Sequence, residues 1–244
     1  LFTEFLSCTR KIITGKEKNV NIRARNDTGS SHMSVRVERK LHTRQALLDA
    51  ALDLMAEGRS FGALSLREVA RAAQIVPTAF YRHFRDMDDL GLTLVDETFL
   101  TLRRLMREVR QAARSGHDMR ADSVRVYVGY VREHRRVFEF VIRERHGGTP
   151  PVRAEIAREI RFITTDLADD LATIPALAHL DRDTREVVAH LIVSAVATMT
   201  GELLDVPPGP GTDDAEAELA RRTVMQLAVV VRGAAAVPTP TSTD

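Results

Sequence analysis

Between Leu64 and Leu94 the chain reads LSLREVARAAQIVPTAFYRHFRDMDDLGLTL, and hydroxyl, guanidinium and imidazole groups crowd together within it. Thr78, Tyr81, Arg82 and His83 share one short segment, Ser65 and Arg67 lie a turn upstream, and Arg44 precedes both. Such groups donate hydrogen bonds to anions, and a guanidinium can fork onto two acceptors at once. No catalytic pattern accompanies them: there is no nucleophile elbow, no phosphate-cradling glycine loop, and no His-x-x-Glu-His or paired-cysteine metal signature. The expected chemistry is therefore recognition, with no enzyme, metal or cofactor implied. On duplex DNA, Arg82 could fork onto a guanine edge, and Thr78 or Ala79 could meet a thymine methyl. Tyr81 and His83 suit phosphates, which fix register without reading sequence. Arg44, Ser65 and Arg67 could grip the flanking backbone, with Arg36, Arg39 and Lys40 as a short arm.

The elements that must position these groups are legible from spacing. Thr43 to Glu57 places Ala46, Leu47, Ala50, Ala51, Leu54 and Met55 at helical intervals, with Thr43 as N-cap and Gly58 as stop. Ser65-Leu66-Arg67-Glu68 reads as a capping box opening a second helix that buries Leu66, Val69, Ala70 and Ala73. Pro77 falls where a third helix would start, since its missing N–H costs nothing there. Phe80 and Phe84, four apart, face inward and leave Thr78 and Arg82 on one outward face, Ala79 and His83 on its neighbour. A solvated face of an ordinary helical domain would carry the same charges. It would not carry this order of helix, capping box, tight turn, proline-started helix and aromatic pair.

These motifs resemble the N-terminal domain of the TetR family of transcriptional regulators: the A-L-x-L first helix, L-R-E-V-A-R-A-A, then Tyr81-Arg82-His83-Phe84. The resemblance spans about residues 38–235 and is specific over 43–97. Within the family, Pro77–Glu97 and the run Arg143–Gly147 are similar to repressors of unsaturated fatty acid synthesis and acyl desaturase genes. The resemblance implies a homodimer that binds a palindromic operator duplex and responds to a hydrophobic effector, here long-chain acyl-CoA or fatty acid. It places Thr78, Ala79, Tyr81, Arg82 and His83 at the recognition positions. Two departures stand out. Gln74 occupies a turn position where the family usually has Gly, and the acidic run Asp86-Met87-Asp88-Asp89 replaces a common Lys.

Downstream, one long helix is expected over Asp86–Arg114, then Ala121–Glu133, Arg136–Arg145, a proline-started helix from Thr149 to about Ile174, a helix capped by Asp181, and Asp213–Ala234. The fold class is all-α, with about nine helices: a three-helix DNA reader on a helical regulatory and dimerisation body. Phe99, Leu102, Met106, Tyr127, Tyr130, Phe138, Phe140 and Phe162 are candidates for lining an apolar cavity or for plain core. Arg143, Arg145 and His146 could hold a ligand's polar end or pair with Glu139, Glu144 or Asp166. The helices around Val187–Met199 and Val224–Val231 are apolar on more than one face. That suits either a two-fold four-helix bundle or a buried pair in a monomer.

The charge balance divides the chain. Residues 1–85 carry 15 Lys+Arg against 8 Asp+Glu, and residues 86–244 carry 20 against 26. A basic front suits a phosphate footprint confined to one end. Residues 1–32 hold every Asn, the lone Cys and three of four Lys, and Gly29-Ser30-Ser31-His32-Met33 has the look of a cloning junction. A vector-derived or disordered segment and a basic DNA-tracking arm both fit it. The domains are then 33–85 for the DNA reader, 86–236 for the body and 237–244 for a disordered tail. The stretch Val187–Leu204, interrupted by His190 and Glu202, reads as too short and polar to span a membrane. With a single cysteine the expected compartment is the cytoplasm. Two other readings stand beside it: a TetR-like regulator of another hydrophobic ligand, in efflux or catabolism, and a ligand-independent helical DNA-associated protein, which needs no cavity and no effector.

Overall fold

The computed structural model describes residues 30–113 and 119–238. Nine α-helices and one short 3₁₀ turn occur among the described residues, with no strand. They are α1 (Ser30–Ala56), the 3₁₀ turn Phe61–Ala63, α2 (Leu66–Ala72), α3 (Pro77–Phe80), α4 (Met87–Ala113), α5 (Met119–Glu133), α6 (Arg135–Gly147), α7 (Pro150–Leu171), α8 (Arg182–Asp205) and α9 (Thr212–Ala235). The chain divides into two units at His42/Thr43, inside α1. In the first, the described residues are the opening turns of α1, with Val37 and Leu41 exposed. Most of the 1–32 segment, the expected end of the long helix at Arg114 and most of the tail lie outside the described residues.

Two sequence expectations need correction here. Thr43 lies inside α1 and is not its cap, because nothing between Ser34 and His42 is a proline or glycine that would halt a helix upstream. Ser30–His32, assigned to the leading segment, already belong to that helix. The later boundaries match the spacing to within about three residues, the usual scatter at helix ends.

In the second unit the local signals are realised. Gly58 adopts a φ of +94°, which lets the chain leave α1. Asp181 accepts the Thr184 amide at 2.7 Å and caps α8. Asp86 accepts the Asp89 amide at 2.8 Å just ahead of α4, while Asp89 accepts the Arg85 amide at 2.9 Å. Leu47, Leu48, Ala51, Phe61, Val69, Ala70 and Phe80 form the buried interior of the DNA-reader segment. Further along, α4 buries Leu90, Leu94, Val95, Phe99, Leu102 and Leu105 against α5 and α7.

The expected boundary at 85/86 marks a change of role without a break in packing. Phe61 stands edge-on to Phe140 of α6 with centroids 5.5 Å apart, and its backbone N–H donates to Glu144 Oε1 at 3.1 Å. Arg143 donates to the Met55 carbonyl at 3.0 Å, Arg136 pairs with Asp53, and the Thr149 hydroxyl donates to Asp88 at 2.7 Å. The close approach is possible because residue 91 lacks a side chain. A Cβ at Gly91 would lie 2.8 Å from both Phe61 Cε1 and Val152 Cγ2.

Helix α8 is long and apolar enough, by length and composition, to cross a membrane: 24 residues with a window of mean hydropathy 1.7. This differs from the sequence reading of Val187–Leu204. Its inner side packs Val188, Ala189, Met199 and Leu203, whereas Val187 and Leu191 are exposed, as are Met225 and Val229 of α9.

Gly91→Val should cost about 2 kcal/mol or more by overpacking. Thermal unfolding is the measurement, and an unchanged midpoint would refute the close contact of Phe61, Gly91 and Val152.

Candidate nucleic-acid interface and effector region

The capping box predicted for α2 is complete. Ser65 Oγ accepts the Glu68 amide at 3.3 Å, and Glu68 Oε2 accepts the Ser65 amide at 2.9 Å. Arg59 also pairs with Glu68 at 2.9 Å. Hydrogen bonds from Arg59 and then Ser65 hold the Glu68 carboxyl down at about 2. The start of α2 is thereby fixed by side chains that hydrogen-bond one another, and Arg67 is left exposed on it.

The α2–α3 turn contains Gln74 at φ 57°, the left-handed region expected where the family has Gly. Pro77 is the first residue of α3. Phe80 and Phe84 are buried with centroids 5.6 Å apart, so the inward face is set as expected. Thr78, Tyr81 and Arg82 are exposed, Ala79 and His83 half-buried, and Tyr81 retains 65% of its surface. Three of the five predicted recognition residues are thus exposed within one short segment. Regular helix ends at Phe80, and Tyr81–His83 continue as turns.

Arg44 is more engaged than the sequence suggested: it pairs with Glu97 of α4 and lies over the Phe84 ring, 5.4 Å from its centroid. Val76, which the sequence reading passes over, precedes α3 as its N-cap, makes no capping bond and is 65% exposed. Its signal was available, since an apolar residue stands where Ser, Thr, Asp or Asn is preferred.

The effector candidates divide. Phe99, Leu102, Tyr130 and Phe138 are buried, with Met106 and Tyr127 partly so. Phe138 takes edge contacts from Tyr127 at 5.9 Å and Tyr130 at 5.6 Å, so these rings pack on one another. Thr200 donates to the Val196 carbonyl, which leaves the Tyr127 hydroxyl as donor to Thr200 Oγ1 at 2.8 Å. Burial pushes both Tyr127 and Tyr130 up to about 12, so both remain neutral phenols. Phe162 is a correction. It is 53% exposed because it falls off the stripe Ile156, Ile160, Ile163 and Leu167 that faces inward.

The expected acid partners of the Arg143–His146 run are also corrected. Arg143 binds a backbone carbonyl, Glu144 is buried on the Phe61 amide, and Glu139 pairs with Arg135. Arg145 is half-buried and His146 exposed. An open cleft of about 670 Å³ is lined by Arg132, Arg135, the loop from Val206 to Thr212, and the acidic Asp213, Asp214 and Glu216, with none of the aromatic candidates in its lining. Asp96, Glu155 and Glu159 converge between α4 and α7, but Arg103 and Arg158 already pair with two of them.

A short helix with an exposed hydroxyl, followed by a turn with exposed Tyr81 and Arg82, held by a capped partner helix and joined to a larger helical body, defines a helix-turn-helix DNA-binding regulator. Comparisons agree. Residues 47–92 match the family model of bacterial regulatory proteins of the tetR family, and 117–230 match the tetracyclin repressor-like C-terminal domain. The chain belongs to the TetR family of transcriptional regulators. Among similar solved structures is a TetR-family regulator from Syntrophomonas wolfei (TM-score 0.63, 13% identity, covering 80% of this chain and 98% of that one). Another is the fatty acid degradation regulator FadR from Bacillus halodurans (0.59, 14%, 78% and 95%). A third is Thermus thermophilus FadR, a repressor in complex with lauroyl-CoA (0.50, 17%, 82% and 100%).

The depressed Glu68 carboxyl contributes stability that is present above its unfolded value near 4.5 and is lost as pH falls through about 2. Glu68→Gln should therefore be less stable than the parent at neutral pH, with the difference shrinking across that acid window. Urea unfolding at several pH values checks this, and a pH-independent difference would contradict it.

Proposed function

We propose that this chain is a homodimeric repressor that reads a palindromic operator through α3 and senses long-chain acyl-CoA or fatty acid, controlling genes of lipid desaturation or synthesis. One observation supports the DNA half most: Arg82, exposed and without an ion-pair partner among the described residues, follows the helix that carries exposed Thr78, in a segment pinned by Phe80 and Phe84. In this reading Arg82 forks onto a guanine and Thr78 and Ala79 face base edges. Tyr81, His83, Ser65 and Arg67 take phosphates, and Arg44 assists from its position over Phe84. Arg82→Ala should reduce the preference for operator over random duplex by at least about tenfold, given roughly 1–3 kcal/mol per bidentate base contact. Competition binding at fixed salt measures it, and retained selectivity would remove α3 from the role.

Effector sensing rests on the packed group Phe99, Leu102, Tyr130 and Phe138, together with the fold shared with a lauroyl-CoA-bound repressor. An acyl chain would open these edge contacts, with Met106 and Tyr127 at the margin and Arg145 toward the polar end. The ligand shifts DNA affinity only by preferring one of two arrangements of the body. Operator binding titrated with saturated and unsaturated acyl-CoAs is the test. A midpoint that moves with neither would end the lipid-sensor reading and leave DNA recognition standing.

The dimer is carried by Val187, Leu191, Met225 and Val229, apolar residues exposed on α8 and α9. Covering this face with a second copy forms a four-helix bundle and sets two α3 helices about one DNA turn apart. Leu191→Glu combined with Val229→Glu should halve the mass in light scattering and abolish tight operator binding. A dimer that persists would place the interface elsewhere. A cytoplasmic location follows from this role.

A further inference from the structure

We propose that the Glu144 carboxylate is a built-in release for the joint between the DNA reader and the body. It grips the reader at the Phe61 amide, yet it is buried half-paired, so the joint opens as a unit at small cost. The inference rests on the reading that the segment around α2 and α3 binds DNA, because only then does opening the joint regulate anything.

The grip is confined to one face of α6. Arg136, Phe140, Arg143 and Glu144 recur at i, i+4, i+7 and i+8, and each touches the reader. Arg136 pairs with Asp53, and Phe140 meets the Phe61 ring. Arg143 donates to the Met55 carbonyl at 3.0 Å, and Glu144 Oε1 accepts the Phe61 amide at 3.1 Å. Met55 belongs to the last turn of α1, and Phe61 opens the 3₁₀ turn. Neighbouring residues of opposite charge therefore clamp the two ends of the link between them. The cation takes a helix-end carbonyl and the anion a first amide, each at the terminus whose dipole suits it. Another side of α6 carries Phe138, packed on Tyr127 and Tyr130, while Arg135 donates to the Leu204 carbonyl of α8. One helix thus touches the reader, the aromatic group and α8.

The grip is weaker than its geometry allows. Glu144 is 1% exposed, its Oε2 has no hydrogen-bond partner, and no cation pairs with it among the described residues. A glutamine would accept the same amide through its oxygen without burying a charge. The carboxylate therefore destabilises the closed joint relative to a neutral side chain of the same shape. Partial loosening is blocked. A Cβ on Gly148 would stand 2.8 Å from Glu144 Oε2, and one on Gly91 equally close to the Phe61 ring. Packing this tight does not stretch; it is made or lost as a whole. In the open arrangement water hydrates both Glu144 oxygens and the Phe61 amide, which offsets the lost ring contact.

Hydrogen–deuterium exchange of the full chain, without duplex, tests the release. The segment Ser60–Leu64 should exchange faster than the interior of α2 around Val69 and Ala70. Glu144→Gln should slow it by about tenfold, the scale of removing an uncompensated buried charge, and raise the thermal midpoint. Glu144→Leu, which leaves the Phe61 amide unpaired, should speed exchange and lower the midpoint. A merely structural glutamate gives another order, with Glu144→Gln equal to the parent or worse on both measurements. That result overturns the proposal.

A second arm reads regulation. Duplex selected from a random library by the parent protein should change the exchange of Ser60–Leu64 by at least about threefold. In Glu144→Gln, whose joint is held closed, the change should be much smaller. Unchanged exchange in the parent makes the joint a passive scaffold and overturns the regulatory claim. If Arg82→Ala keeps the parent's selectivity, the α3 reading fails instead, and the duplex-free comparison still decides whether Glu144 releases the joint.

Discussion

Phe61 occupies the corner where the DNA reader turns back from α1 toward α2, and its burial joins the reader to the body. A three-residue 3₁₀ turn leaves its first amides without internal acceptors. The Phe61 amide finds its acceptor 83 residues away, in the Glu144 carboxylate, while its ring meets Phe140 one turn earlier on the same helix. Leaving a buried amide unpaired costs roughly 1–3 kcal/mol, so the contact resists sliding. Burying a carboxylate is also expensive, and Glu144 Oε2 has no hydrogen-bond partner among the described residues. A joint of this kind favours positional definition over stability. Gly148 belongs to it as well, since a Cβ there would press against the Glu144 carbonyl at 2.6 Å.

Electrostatics confine where phosphate can lie. The front of the chain is basic, yet the segment just after α3 carries Asp86, Asp88 and Asp89. Their oxygens are occupied by the Asp89 amide, the Thr149 hydroxyl and the Arg85 amide and guanidinium. Their charge still repels phosphate within a Debye length of about 8–10 Å. In the proposed interface the backbone contacts would therefore fall away from the start of α4 and toward Ser65 and Arg67 at the head of α2. Arg44, which pairs with Glu97, is partly withdrawn from that grip. Charge that stabilises α4 thus narrows the phosphate footprint.

What could be read from sequence was what depends on neighbours within about four residues. The capping box at Ser65, Pro77 at the head of α3, the Phe80–Phe84 pair, the Gly58 stop and the Asp181 cap are all of this kind. Gln74 in the left-handed region was implied by the family resemblance, since Gly usually holds that turn position. The misread features depend on partners far along the chain. Arg143 finds Met55, Glu144 finds Phe61, and Arg44 finds Glu97 across separations that spacing cannot encode. Phe162 is a different case, since it falls off the Ile156, Ile160, Ile163 and Leu167 stripe and its exposure was readable from local spacing. Thr43 misled for another reason: a good capping residue caps nothing when no breaker ends the helix before it.

The body shows one composition serving two physical readings. The most apolar window of α8 is 28% buried, so much of its hydrophobic surface lacks cover within one chain. By composition that surface suits lipid. By geometry it does not stand alone, because α9 packs beside it and adds Met225 and Val229 to the same exposed apolar set. A lipid-facing helix would gain nothing from a neighbour whose first turn carries Asp213 and Asp214 and whose length carries Arg221, Arg222 and Arg232. A second copy, as in the proposed dimer, would cover those apolar residues and leave the charges in water. In the proposed dimer the same burial would fix the distance between the two reading heads, so apolar surface on α8 and α9 would set the geometry at Arg82. An effector that loosens the Tyr127–Phe138–Tyr130 contacts acts on α5 and α6, between that bundle and the Phe61 joint.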